Sequence, residues 1–435
     1  MLGHLKDAHI KELFSKAFLS FLLRSISAIL LFILNIIISR ALGADAAGYY
    51  FLSVSIVLVL TSIFRLGTDQ VVTRLVSTYN VSALPKNISA LYLYVMKFLG
   101  VSLFIISLFL FLFSDLISFF VFFKPDLTEP LRIISLSIFF LGLLVSHGFF
   151  FQGLKYTSAY QFCQNLGQPL FLFCIIVFSF FMDLELSTVN LSFFHLLSSI
   201  IPLLIVFFLL RSKLSIPTHA FIETKELWRS SLPLWGSASL IMLMNFGAPI
   251  LLGVMGSSES VAIFYNAFRT ASLVLLVLMS INSIAAPKFS ELYCKNDIPS
   301  IRRLSIMSTR AMVLLTSPIF LCFFIFPEWV MGLFGSEFRV GYQVLVVLSL
   351  GQLFNVSTGS VLLILSMTGH ERKVLLSSVI SGLVMLFLCL TLIPLFGALG
   401  AAISYSLSLS LQMLMSTYFV YKALGFVPMS IFSKC

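Results

Sequence analysis

Charge is what this 435-residue sequence has least of: Asp, Glu, Lys and Arg together make up 10% of it, and only 17 residues are acidic. Soluble globular chains carry about 25% charged residues, so this chain cannot be water-facing over its whole surface. Cysteine and histidine are scarce as well, six of each. No two cysteines have the C-x-x-C spacing. Most, such as Cys163, Cys174 and Cys389, sit inside apolar runs and read as small buried hydrophobes rather than as disulfide or metal ligands. His147 and His195 are isolated and read as packing residues. A Gly-rich phosphate loop and an ATPase motif are both missing, which excludes pumping by the chain's own ATP hydrolysis. Segments of alternating polarity are missing too, which excludes a transmembrane barrel.

In place of charge there is apolar length. Hydrophobic residues make up 59% of the chain, and Phe alone occurs 47 times. Apolar runs recur that are long enough to cross the ~30 Å hydrocarbon slab as helices. The expected fold is therefore an all-α polytopic membrane protein with about twelve transmembrane helices. The spans are placed at 17–39, 48–64, 89–113, 132–152, 158–181, 189–210, 231–255, 261–285, 304–326, 341–366, 374–394 and 398–420. Residues 1–16 mix Lys6, Asp7, Lys11, Glu12 and Lys16, and the run that follows is too long for a signal h-region. No cleavable signal is expected there. Ile10, Phe14 and Phe18 stand four apart, the pattern of a short amphipathic helix on the inner leaflet.

Loop charges orient the chain. With the N-terminus inside, nineteen of the 27 Lys and Arg fall on the cytoplasmic side, four outside (Arg40, Lys124, Arg132, Arg339) and four within spans. That asymmetry follows the positive-inside rule and places both termini in the cytoplasm. The net charge of +10 is thereby assigned to the membrane rather than to nucleic acid.

Two stretches echo each other at nearly equal offsets. Leu42-Gly43-Ala44-Asp45 before span 2 matches Met255-Gly256-Ser257-Ser258 before span 8, 213 residues on. Gln152-Gly153 at the end of span 4 matches Thr368-Gly369 at the end of span 10, 216 residues on. The expectation is a parallel repeat of two six-helix halves, residues 1–210 and 231–435, joined by a cytoplasmic linker at 211–230, around a central cavity.

The charges inside spans carry the chemistry. All the acidic residues lie in loops or at helix ends, whereas Arg24, Lys97, Arg269 and Arg310 lie within spans. An intramembrane charge is costly and marks a substrate or ion path with a partner. With no acid to pair with, these cations await an anion, and phosphate suits Arg by bidentate hydrogen bonding. Arg24 lies ~10 Å into span 1 and Arg269 ~12 Å into span 8 at 1.5 Å per residue. Lys97 is evenly divided between cargo ligand and snorkelling, and Arg310 is shallow enough to snorkel. Gln161, Gln164/Asn165 and Gln168 recur at helical spacing in span 5, and Asn266 stands one turn before Arg269. Such amides either bind sugar hydroxyls or tie helices together.

Several segments in order resemble the polysaccharide-export flippases of the multidrug/oligosaccharidyl-lipid/polysaccharide (MOP) superfamily, in particular the O-antigen (Wzx-type) branch. They are Ser39-Arg40-Ala41-Leu42-Gly43 through Gly48-Tyr49-Tyr50; Leu66-Gly67-Thr68-Asp69-Gln70; Ser231-Leu232-Pro233-Leu234; Leu252-Gly253; Tyr265-Asn266-Ala267; Leu333-Phe334-Gly335-Ser336-Glu337-Phe338; and Ile393-Pro394-Leu395-Phe396-Gly397. The resemblance implies a non-enzymatic flippase for undecaprenyl-pyrophosphate-linked oligosaccharide in the bacterial inner membrane, with Arg24 and Arg269 as pyrophosphate ligands. No cofactor is expected, and the isolated His147 and His195 offer no metal site. The partners the resemblance implies are the lipid-linked glycan, membrane lipids and other membrane proteins of polysaccharide assembly. Many relatives carry an acid in span 7 where this chain reads Asn245-Phe246-Gly247-Ala248-Pro249, so a cation-binding carboxylate is not carried over. An exopolysaccharide or lipid II flippase shares the charge logic. A multidrug antiporter would want intramembrane carboxylates, and an O-antigen polymerase would want catalytic residues on a large outer loop.

Overall fold

The computed structural model describes residues 2–82, 84–211 and 224–428, without the side chains of residues 2–18, 224–226 and 233. The apolar face expected from Ile10, Phe14 and Phe18, and residues 212–223 of the expected linker, lie outside the described residues. Among the described residues every regular element is helical. Nine helices are long and apolar enough to cross a membrane, or ten if Pro125–Ser135 and Ser137–Gly153, bent by 40°, form one span. The chain is a multi-pass membrane protein.

Beyond that bent pair, the difference from the expected twelve falls at two places. Leu19–Phe64 is 46 residues long and Glu371–Leu424 is 54, whereas crossing the hydrocarbon takes about 20. Each contains one glycine with non-helical backbone, Gly43 (φ 75°, ψ 174°) and Gly397 (φ 54°, ψ −127°). These lie between expected spans 1 and 2 and between spans 11 and 12. Glycine reaches positive φ without a Cβ clash, so the chain breaks helical geometry at a single residue and needs no loop there.

Two compact units divide the chain. One comprises Met1–Leu34 with Tyr49–Met242, the other Asn35–Gly48 with Leu243–Cys435. In the first, Thr188–Arg211 packs on Gly167–Phe181 and Ser137–Gly153. The amphipathic helix Thr68–Val81 buries Val71, Val72, Leu75 and Val76 and lies along Ser137–Gly153, with the Thr73 hydroxyl donating to the Phe149 carbonyl (3.2 Å) and Ser77 to that of Gly153 (3.1 Å). In the second, Tyr342–Thr358 packs on Glu371–Leu424 and Ser258–Ala271, and Leu275–Cys294 packs on Ile298–Ile325.

The short segment Asn35–Gly48 is pinned within the second unit by polar contacts. Arg40 Nε donates to the Leu333 carbonyl (2.7 Å), the Ala44 N–H donates to Glu337 Oε2 (2.7 Å), and the Ser258 hydroxyl donates to Asp45. Elsewhere, buried serines and threonines return their hydroxyls to the preceding turn, as in Ser55 to Phe51 (2.7 Å), Thr309 to Ser305 (2.8 Å) and Thr316 to Met312 (2.8 Å). This satisfies a polar group without water. Large apolar side chains such as Phe208, Leu314, Phe387 and Leu395 point outward instead, as a hydrocarbon solvent allows.

Candidate functional site

In the first unit the helical run from Thr157 is interrupted by one π-helical turn, Phe162–Leu166, before Gly167–Phe181 resumes. Such a bulge rotates the side chains after it relative to those before it and recurs at functional sites. Its effect here is to split the amide stripe. Gln161, buried, and Asn165 converge: Asn165 Nδ2 donates to Gln161 Oε1 at 2.7 Å. Arg24 Nε donates to the same oxygen at 3.2 Å, and the Ser27 hydroxyl donates to the Asn165 carbonyl. Gln164 turns away to the Val145 carbonyl (3.0 Å), and Gln168 to Ser198 (3.3 Å). One oxygen thus orients the half-buried guanidinium of Arg24 through its Nε. Both Nη groups have no partner among the described residues.

A second cationic group acts on a tyrosine that Arg24 also reaches. Tyr160 lies within electrostatic reach of Arg24, Arg65 and Asp69. Arg65 is 8% exposed, pairs with Asp69 Oδ2 at 2.9 Å, and lies over the Phe149 ring. Burial raises the Asp69 carboxyl above its ordinary range, and the Arg65 charge opposes that shift. By sequence Arg65 belongs among the loop charges. In the structure, two successive residues of positive φ, Leu66 (54°) and Gly67 (66°), turn the chain so that Asp69 reaches back to it. Sequence reasoning missed this pair; the i, i+4 spacing of Arg65 and Asp69 across a Gly is the signal that could have found it.

In the second unit, Arg269 is half-buried on Ser258–Ala271. Its Nη2 donates to the Tyr265 hydroxyl (3.1 Å), and its guanidinium lies 5.3 Å from the Phe246 ring centroid and 5.2 Å from that of Tyr265. Aromatic faces stabilise the cation by their quadrupole and hold its plane. No carboxylate pairs with Arg269 or Arg24 among the described residues. Asn266 is fully buried and donates to Ser39 at 2.7 Å, so its amide ties two segments of the unit together. Lys97 is exposed on Pro85–Leu112, next to Phe98, whose ring packs at a tilt of 58° against that of Trp228. The two histidines are hydrogen-bonded in pairs. His147 Nδ1 donates to the Leu143 carbonyl (2.7 Å), which leaves Nε2 to accept from Tyr92 (3.0 Å), while His195 meets Tyr50 (2.9 Å).

The family model for polysaccharide biosynthesis proteins matches residues 13–293. The chain belongs to that family. This member is also 27% identical over 174 residues to the probable low-salt glycan biosynthesis flippase Agl15 of Haloferax volcanii. That match covers 39% of this chain and 36% of the relative, about a third of the relative's length. Among solved structures, the chain is similar to an inward-facing multidrug resistance MATE family transporter of the MOP superfamily, with a TM-score of 0.74 at 14% identity, over 92% of this chain and 94% of the other. It is similar to the lipid II flippase MurJ in an inward closed conformation, at 0.69 and 14% identity, over 94% and 87%. A MOP superfamily transporter from Pyrococcus furiosus, whose binding pocket is described as having reverse polarity, gives 0.67 and 14% identity over 93% and 95%. The fold of this polysaccharide biosynthesis protein is that of the MOP superfamily transporters.

Proposed function

We propose that this polysaccharide biosynthesis protein is a flippase for lipid-linked oligosaccharide, moving an undecaprenyl-pyrophosphate-linked unit such as an O-antigen repeat across the bacterial cytoplasmic membrane, with both termini in the cytoplasm. The observation that carries the reading is the pair of in-span guanidiniums, Arg24 and Arg269, each set by a neutral neighbour and neither paired with a carboxylate among the described residues. Arg24 spends its Nε on Gln161 and leaves the two Nη donors for a phosphate, the geometry that makes Arg a bidentate phosphate ligand. Arg269 keeps its plane through Tyr265 and Phe246. Asn165 and Gln161 form the polar floor beside Arg24, and exposed Lys97 is a further cationic contact for the cargo. The family's biosynthetic role, and the glycan flippase Agl15 and lipid II flippase MurJ among its likenesses, support a glycan-lipid cargo. The protein acts by transport, exposing the cargo to one membrane face and then the other. A potential of 100 mV is worth about 2.3 kcal/mol per charge moved, so an anionic headgroup leaving a negative interior travels downhill.

The test is binding of a polyprenyl pyrophosphate to the purified protein in nanodiscs. A charge-assisted hydrogen bond is worth about 1.5–3 kcal/mol, so R24A and R269A each weaken binding by about 10- to 150-fold. In cells, loss of the protein causes glycan-linked lipid to accumulate on the inner leaflet, and the mass of that lipid identifies the glycan. Wild-type binding by both variants would remove the anion site, and with it the flippase reading.

A further inference from the structure

A cavity of about 710 Å³ opens where the start of Ile298–Ile325 meets the end of Glu371–Leu424, lined by Ile298, Arg302, Arg303, Met307, Leu424 and Phe426 among others. Its volume is that of small-molecule sites, about 300–1,000 Å³. None of its lining residues belongs to the arginine sites described above. Local folding builds it. Asp297 caps the first helix by accepting the Ser300 N–H (3.1 Å). The second helix ends at Gly425, whose left-handed φ of 76° lets the chain turn and bury Phe426 at 6% exposure.

Two features identify what the cavity takes. First, its charge is one-signed. Arg302 and Arg303 are both exposed, and neither has a hydrogen-bond or ion-pair partner among the described residues. The nearest acids in sequence are engaged elsewhere, Glu291 with Lys295 and Asp297 with Ser300. Second, the cavity stands at the head of a largely apolar stripe. Arg303 is one turn before Met307, and on that face of the same helix Met307, Leu314, Leu321 and Ile325 are exposed by 60%, 73%, 56% and 61%, with one charged residue, the exposed Arg310, among them. At 1.5 Å per residue, Met307 to Ile325 spans about 27 Å, close to the hydrocarbon thickness. Two unpaired guanidiniums at the membrane edge above an outward apolar stripe suit an amphiphile with an anionic head and hydrocarbon tails.

We propose that this cavity is a specific site for an anionic glycerophospholipid. Its phosphate lies between Arg302 and Arg303, and its acyl chains run along Met307, Leu314 and Leu321. Basic pockets at the ends of membrane helices select anionic headgroups in this way, and a choline headgroup would place a cation against two guanidiniums. The site is a lipid contact of the transporter body and holds whatever the glycan cargo proves to be.

Native mass spectrometry of the full-length protein, released from nanodiscs of equal phosphatidylglycerol and phosphatidylcholine, tests it. Wild type retains phosphatidylglycerol in preference. Each basic residue is worth about fivefold at an anionic surface, so R302Q/R303Q lowers that preference by about 30-fold. R302K/R303K keeps most of it. Both positions are exposed, so the variants fold, and retained thermal stability without added lipid confirms that. Equal retention of the two lipids by wild type, or an undiminished preference in R302Q/R303Q, overturns the proposal. So does a wild-type protein that carries no lipid because its own chain beyond Pro428, or a second copy of the protein, fills the cavity.

Discussion

Gly48 is where the packing leaves least room. A Cβ built on it would stand 1.9 Å from the Ser258 carbonyl oxygen, 2.4 Å from the carbonyl carbon and 3.0 Å from the Ser258 Cα. All three atoms are backbone, so no side chain can swing aside, and G48A must push Asn35–Gly48 off the start of Ser258–Ala271. Overpacking of this kind costs about 1–3 kcal/mol. The same displacement pulls Asp45 from the Ser258 hydroxyl that donates to it, a hydrogen bond to a charged group worth about 1.5–3 kcal/mol. The expected destabilisation is therefore about 2.5–6 kcal/mol, read as a lowered midpoint of denaturant unfolding in detergent micelles. Gly100 is the control. It lies inside the helix Pro85–Leu112 with nothing within 4 Å of an added Cβ. G100A should be neutral or stabilising by up to about 1 kcal/mol, the helix-propensity difference between Gly and Ala. Equal stability of G48A and wild type, or a G100A as damaging as G48A, would refute the reasoning that this backbone contact holds the segment.

Other outcomes follow from the buried polar groups. Y92F leaves the Nε2 of His147, a residue 3% exposed, without its donor, and should cost about 1–3 kcal/mol of stability in the same unfolding measurement. Asp69 titrates above its ordinary value of 3.8 because burial outweighs the opposing Arg65 charge. A carboxyl raised in the folded state contributes stability below its unfolded pKa and loses it as pH rises through the raised value. The stability of wild type relative to D69N should therefore fall as pH increases from about 4. A difference that is flat or rises with pH would contradict the burial assigned to Asp69.

The membrane class, the helical fold and the breaks near Gly43 and Gly397 were legible in the sequence because they depend on local quantities. The length of an apolar run against the hydrocarbon thickness, and the steric freedom of glycine, need no knowledge of neighbours. That Arg24 and Arg269 meet no carboxylate among the described residues was legible for a related reason, since a chain with almost no intramembrane acid offers its intramembrane cations none wherever they point. Which amides meet them was decided only by tertiary structure. Periodicity put Gln161, Gln164/Asn165 and Gln168 on one face of an unbroken helix, but across the π-turn at Phe162–Leu166 only Gln161 meets Arg24, with Asn165 bonded to Gln161, while Gln168 goes to Ser198. Asn266 stood one turn from Arg269 in sequence, yet packing gave its amide to Ser39. Arg65, grouped by sequence with the loop charges, became a buried ion pair through two residues of positive φ. Hydrophobic run length is a property of the chain read in order, whereas the partner of a buried polar group depends on which other segment is folded against it.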